Sequence, residues 1–169
     1  VITHNAVRLL PHSLPPLLAS PLKPRVLVVN SSSDDGTVEL ARQMGAETLV
    51  IPRHEFNHGA TRERARKLLD TKIVVRTTPD AIAGPDTIAY LVQPLLDDSR
   101  VALSYARQLP HDGADFFEAF PRRFNYPAVS EIRSQEDVAR VGPAAYFCSD
   151  SCAAWSNAAL DAAGGFETT

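Results

Sequence analysis

Two cysteines in 169 residues are too few for a disulfide framework, so Cys148 and Cys152 read as reduced, core-packing side chains, and a cytoplasmic setting follows. A formal net charge of only -3 provides no electrostatic footprint for nucleic acid, which is not expected as a partner. No run of about 18 apolar residues is present to cross a bilayer. No basic segment followed by an apolar stretch and a small-residue cleavage site marks a secretory signal. No loop carries a Walker pattern or GxGxxG, which argues against a P-loop enzyme or a Rossmann dehydrogenase. Val1 is not a methionine, so the chain is expected to begin inside a longer protein.

With 44% hydrophobic residues the chain can bury one core. Apolar runs alternate with helix-period segments, the pattern of an α/β domain whose sheet is mostly parallel and flanked by helices. Strands are expected at Val1 to Thr3, Arg25 to Val29, Thr48 to Ile51, Lys72 to Arg76 and Val101 to Tyr105, with a last one from Ala144 to Cys148 or slightly beyond. Helices are expected from about Thr37 to Met44, Ala60 to Leu69, Pro85 to Leu96 and Asn157 to Ala163. Pro15 and Pro16 predict that LLPHSLPPLLASPLKP forms two short helical pieces rather than one helix. The stretch from Leu109 to Pro143 has no clean period and reads as helix and loop.

In an open α/β sheet, ligands sit outside the carboxyl ends of the strands. Four polar segments fall there: THN at 3 to 5, NSSSDDG at 30 to 36, EFNHG at 55 to 59 and TTPD at 77 to 80. Together they suit a phosphate-bearing ligand and a divalent cation held by a carboxylate. Each also has a structural reading. Asp34 and Asp35 are placed to cap the helix after Gly36. His58 can serve a loop hydrogen bond, and Pro79-Asp80 can be a turn after a strand. In TRERARK, Arg62 and Arg66 share a face that could meet a diphosphate, but Glu63 and Lys67 are spaced for an ordinary surface pair.

The ordered set VITHNA, VLVVNSSSDDGT, EFNHGATR, TTPDA, YARQLP, FNYP and AALDAAGGFE resembles the family 2 glycosyltransferases of GT-A fold, and particularly their bacterial rhamnosyltransferase-like branch. The resemblance spans essentially the whole chain. It implies a Rossmann-like three-layer sandwich that transfers a sugar, with inversion, from a nucleotide-sugar donor (dTDP-rhamnose or a UDP-sugar). The implied acceptor is a saccharide of a cell-surface polysaccharide or a lipid-linked chain, met peripherally at the inner membrane face. It further implies a nucleotide pocket of Thr3, Asn5, Asn30, Ser32, His58, Gly59 and Arg62, with Asn30 where the family usually has Asp. Asp80 would hold Mg²⁺ or Mn²⁺, Thr78 standing where the family carries a further aspartate, and Glu63 replaces an Asn common after the helix arginine. Asp150 is a candidate for acceptor contact. The general base is expected beyond Thr169, because the family places it in an acidic motif shortly after GGF. The domain is thus expected to be a single one over 1–169, truncated at both ends, with a nucleotide-sugar half at 1–108 and a partial acceptor half at 109–169. Two rivals stand beside this reading: a non-catalytic nucleotide-binding or assembly module, and a nucleotidylyltransferase, whose glycine-rich basic loop has no counterpart in VITHNAVRLL.

Overall fold

A computed structural model describes residues 1–168. The chain forms two compact units, Val1–Ser104 together with the segment from Asp150 onward, and Tyr105–Ser149. This division by compactness differs from the functional one expected at residue 108.

The first unit is built on β2 (Leu27–Asn30), a strand buried on both faces. Continuous burial is why it reads as an unbroken apolar run rather than an alternating one. It lies between β1 (Ile2–Thr3) and β3 (Glu47–Val50), parallel to both, with Thr3 opposite Asn30 and Asn30 opposite Val50. Val26 and Val28 pack on one face with Leu10, Leu14 and Leu17 of α1 (Leu10–Leu18), Ala41 of α2 (Thr37–Gln43) and Ile88 of α4 (Thr87–Asp97). Leu27 and Val29 pack on the other with Ala65 and Leu69 of α3 (His58–Leu69). Helix layers thus cover both faces, the three-layer arrangement that the resemblance implied.

β4 (Ile73–Thr77) pairs with β6 (Cys152–Ser156), and β5 (Leu103–Tyr105) follows in that sheet. The β4–β6 pairing is antiparallel, with Arg76 opposite Ala153 and Val74 opposite Trp155. β6 leads directly into α7 (Asn157–Ala162), whose first turn is capped by the Ser156 side chain accepting from Ala159 N–H. Cys152 is buried in β6, where burial pushes its thiol pKa up. It packs and does not react.

Two expectations are corrected here. Residues 10–18 form one helix with Pro15 and Pro16 inside it, not two pieces. The prolines cost two backbone donors, but Leu10, Leu14 and Leu17 are almost fully buried, and their packing outweighs that loss. The last strand starts at Cys152, and residues 142–146 form a 3₁₀ turn instead. Phe147 beyond that turn joins an aromatic cluster with Tyr105 and Tyr126 in the second unit, so the apolar run was packing against rings rather than entering the sheet. The second unit also holds α5 (Phe116–Asn125) and α6 (Val138–Val141).

Candidate functional site

At the carboxyl ends of β1 and β2 the predicted polar residues meet in one network. Asn30 is fully buried. Its amide donates to Thr3 Oγ1 at 3.1 Å and Ser33 Oγ at 2.6 Å, and its Oδ1 accepts the Ser33 N–H at 2.8 Å. Asn5 N–H donates to Ser33 Oγ at 2.8 Å, and Asn5 Oδ1 accepts from Asp34 N–H. Ser32 Oγ donates to the Ile51 carbonyl. Asn5 and Ser32 both adopt left-handed backbone, at φ 47 and 53, a conformation that short polar residues tolerate better than branched ones. The serine-rich cluster therefore ties two strand ends together, which explains its density of hydrogen-bonding groups. Asp35 accepts from Val7 N–H and Thr37 N–H, while Gly36, at φ 85, occupies the cap position of α2 itself. Asp35 thus fastens the start of α2 to the loop after β1, and these bonds hold its carboxyl below the usual range against the opposing effect of desolvation.

The second cluster lies at the start of α3. Asn57 caps that helix, its side chain accepting from Ala60 N–H at 2.9 Å. His58 and Gly59 of the first turn, with Arg62 one turn on, line a cavity of ≈ 440 Å³ whose far wall carries Arg76, Asp150, Trp155 and Phe166. Arg62 and Arg76 both pair with the Asp150 carboxylate, Arg62 at 3.3 Å. The Arg76 guanidinium also faces the rings of Trp155 and Phe166, at 5.8 and 5.2 Å from their centres. Two further donors on the wall, Arg62 Nε and Trp155 Nε1, are buried without a hydrogen-bond partner among the described residues. The wall is rich in donors and short of acceptors.

Residues after α7 close this cavity. The Phe166 N–H donates to Glu63 at 3.3 Å, and Glu63 is itself gripped by Arg66 at 2.6 and 2.7 Å and by Lys67. The Arg66 hydrogen bonds, against an opposing desolvation, bring the Glu63 pKa down to about 2. Arg66 is buried and also pairs with Asp161 of α7 at 2.8 Å. Arg66 is thus committed to Glu63 and Asp161, and of the two arginines read as sharing a face, only Arg62 lines the cavity. A side chain on Gly59 would collide with the Glu167 backbone, which is why a glycine stands there.

Residues 1–163 match the description Glycosyl transferase family 2. The chain belongs to that family. It is 34% identical over 168 residues to the O-antigen chain rhamnosyltransferase RfbN of Salmonella typhimurium, covering 97% of this chain and 53% of the relative. To the O-antigen chain rhamnosyltransferase WbaN of Salmonella anatum it is 34% identical over 143 residues, covering 84% and 45%. The chain spans about half the length of these curated relatives. Among solved structures it resembles mannosyltransferase PcManGT from Pyrobaculum calidifontis, in complex with GDP-Man and Mn²⁺, at a TM-score of 0.66 and 24% identity over 98% of this chain and 46% of that one. S. aureus TarS 1–349 gives 0.69 at 16% identity over 98% and 48%. These likenesses establish the GT-A fold.

Within this family 2 domain, Thr3, Asn5, Asn30 and Ser32 form the first cluster, and His58, Gly59 and Arg62 stand on the cavity. Asp80 does neither. It is exposed in the turn after β4, where Ala81 N–H bonds the Thr78 carbonyl. Among the described residues no three carboxylate, imidazole or thiol groups gather to hold a metal. Sequence reasoning missed Arg76, Trp155 and Phe166. The available signal was the arginine itself, following the apolar run IVV in β4, since a buried guanidinium calls for a counter-ion and gains further from aromatic faces.

Proposed function

We propose that this chain forms the donor-binding part of an inverting glycosyltransferase that moves a sugar, rhamnose, from a nucleoside-diphosphate donor to a cell-surface polysaccharide or lipid-linked acceptor. The observation that carries this is the donor-rich cavity at the start of α3: two guanidiniums share one carboxylate, and two more buried donors lack partners. Such a wall calls for an acceptor-rich, anionic ligand, which a diphosphate is. The family membership and the likeness to the two O-antigen rhamnosyltransferases support the sugar and the acceptor class.

In this reading the strand-end network of Thr3, Asn5, Asn30 and Ser32 forms the nucleoside side of the site, with Asn5 and Ser32 exposed on its surface and the buried Thr3 and Asn30 holding the two strand ends in place behind them. His58, Gly59 and Arg62 meet the diphosphate. A divalent cation, Mg²⁺ or Mn²⁺, would neutralise charge building on the departing nucleoside diphosphate. A single exposed carboxylate fits a cation held jointly with the ligand's oxygens, not one held by protein alone, and Asp80 is the residue we assign to it. Asp150 is committed to two arginines, so it is placed to orient rather than to take a proton. The acceptor would be met at the inner membrane face; among the described residues no helix is long and apolar enough to cross a membrane.

The test is calorimetric titration with dTDP, dTDP-rhamnose and thymidine. The two diphosphates should bind, thymidine should bind more weakly, and Arg62→Ala should reduce diphosphate affinity by about tenfold, the value of one charge-assisted hydrogen bond, while leaving thymidine unaffected. Equal binding of dTDP to parent and Arg62→Ala would remove the cavity from the donor site.

A further inference from the structure

We propose that Arg76 is a positioning residue: it holds a share of the Asp150 carboxylate that would otherwise fall to Arg62 and thereby sets the affinity of the cavity for a diphosphate. This rests on the reading of that cavity as the diphosphate site.

Arg76 is a fixed pole. It is 8% exposed near the carboxyl end of β4, and its surroundings leave it little freedom. Trp155 lies diagonally across the antiparallel pair on the same face, because Arg76 is opposite Ala153 and Trp155 is two residues further along β6. Phe166 comes from the turn after α7, edge-to-face with Trp155 at 5.6 Å between ring centres. That turn is held in turn by Glu63 through the Phe166 N–H. The guanidinium is therefore clamped on an aromatic platform, and cation–π attraction of this kind strengthens when the cation is desolvated.

Asp150 is the adjustable member. Its side chain is 49% exposed, and it reaches Arg76 from β4 and Arg62 from α3. A carboxylate between two cations divides its hydrogen-bonding capacity between them. With Arg76 holding one share, Arg62 is only partly neutralised and keeps its Nε unpaired. Without the Arg76 charge, Asp150 would turn wholly to Arg62 and compete with any incoming phosphate. The two substitutions should therefore have opposite signs, which a residue serving stability alone would not produce.

The experiment is titration of dTDP and thymidine into the full-length protein bearing Arg76→Gln, Arg76→Lys, Asp150→Asn or the double substitution Arg76→Gln/Asp150→Asn. Arg76→Gln should weaken dTDP binding by about tenfold, the scale of one charge-assisted hydrogen bond, and Arg76→Lys by less. Asp150→Asn should tighten it, and the double substitution should return it at least to the parental level because Arg62 is then unopposed. Thymidine binding should stay constant throughout. Should Arg76→Gln fail to fold by circular dichroism, Asp150→Asn decides alone, and unchanged or weaker dTDP binding in it overturns the inference. A double variant as weak as Arg76→Gln overturns it too, since Arg76 would then act on the ligand or on the fold directly. If the parent binds dTDP and Arg76→Gln binds it equally, only this inference fails; if the parent binds no dTDP, the proposed function fails and takes the inference with it.

Discussion

Glu63 is the residue whose surroundings deviate most from a surface glutamate. Its side chain is only 15% exposed while it meets Arg66, Lys67 and the Phe166 N–H. Its folded-state pKa is about 2, below the ordinary 4.5, so the unfolded chain takes up its proton first. The stabilisation is present above pH 4.5 and is lost as pH falls toward about 2. Glu63→Gln should remove most of it at neutral pH and flatten the loss of stability between those limits, as urea unfolding across a pH series would read. Asn30 gives the second prediction at this scale. Asn30→Leu should cost about 1–3 kcal/mol, since Thr3 Oγ1, Ser33 Oγ and Ser33 N–H each lose their bond to Asn30, only the first two keeping another partner in Val29 O and Asn5 N–H, and nucleotide affinity should fall with it. Asn30→Asp should bind nucleotide as well as the parent, because the two hydroxyls can turn and donate to the carboxylate. Thermal melts and titrations of both variants check this.

At the scale of elements, the start of α3 and the turn after α7 form one device. Gly59→Ala should push the Glu167 backbone off the helix and cost about 1–3 kcal/mol, as other overpacked sites do, with Phe166 leaving Trp155. Trp155 is the chain's single tryptophan, so a change in its fluorescence at unchanged far-ultraviolet dichroism is the expected signature. Much of this architecture was legible beforehand. β2, β3, β4, α2 and α3 fall within a residue or two of their expected bounds because each has an unambiguous period or apolar run. α1 was misread because proline rules describe a local cost, whereas the leucine stripe of that helix is repaid only by tertiary contact. β6 was placed too early because residues 144–148 are as apolar as a strand, and only the packing of Phe147 on Tyr105 and Tyr126 reveals another use for them. In the site, polar clusters after strands could be seen, as could Arg62. The partnership of Arg76, Trp155 and Phe166 could not, since it joins positions up to 90 residues apart with no spacing to announce it.

For the whole molecule, the proposed cation and nucleotide should act on each other. If Asp80 is the protein's contribution to the coordination shell, Mn²⁺ should raise dTDP affinity by the factor by which dTDP raises Mn²⁺ affinity, typically about 5- to 150-fold. Asp80→Asn should remove most of that coupling and leave thymidine binding alone. Titrations of dTDP with and without Mn²⁺ in both proteins measure it, and equal coupling in the two would make Asp80 a turn residue only.

The hydrogen bond from Phe166 to Glu63 spans 103 residues of chain, and this places the site at the end of assembly in time as well as in sequence. During synthesis α3 and β4 emerge long before β6 and the turn after α7, so Arg76 waits with neither its carboxylate nor its rings. Closing a long loop is only slightly more costly than closing a moderate one, about 0.6 kcal/mol per doubling, but contacts so distant along the chain form late. The nascent domain can thus hold its β1–β2–β3 core while the neighbourhood of Arg76 remains open to water, and the cavity takes shape only when the 150s and 160s have left the ribosome.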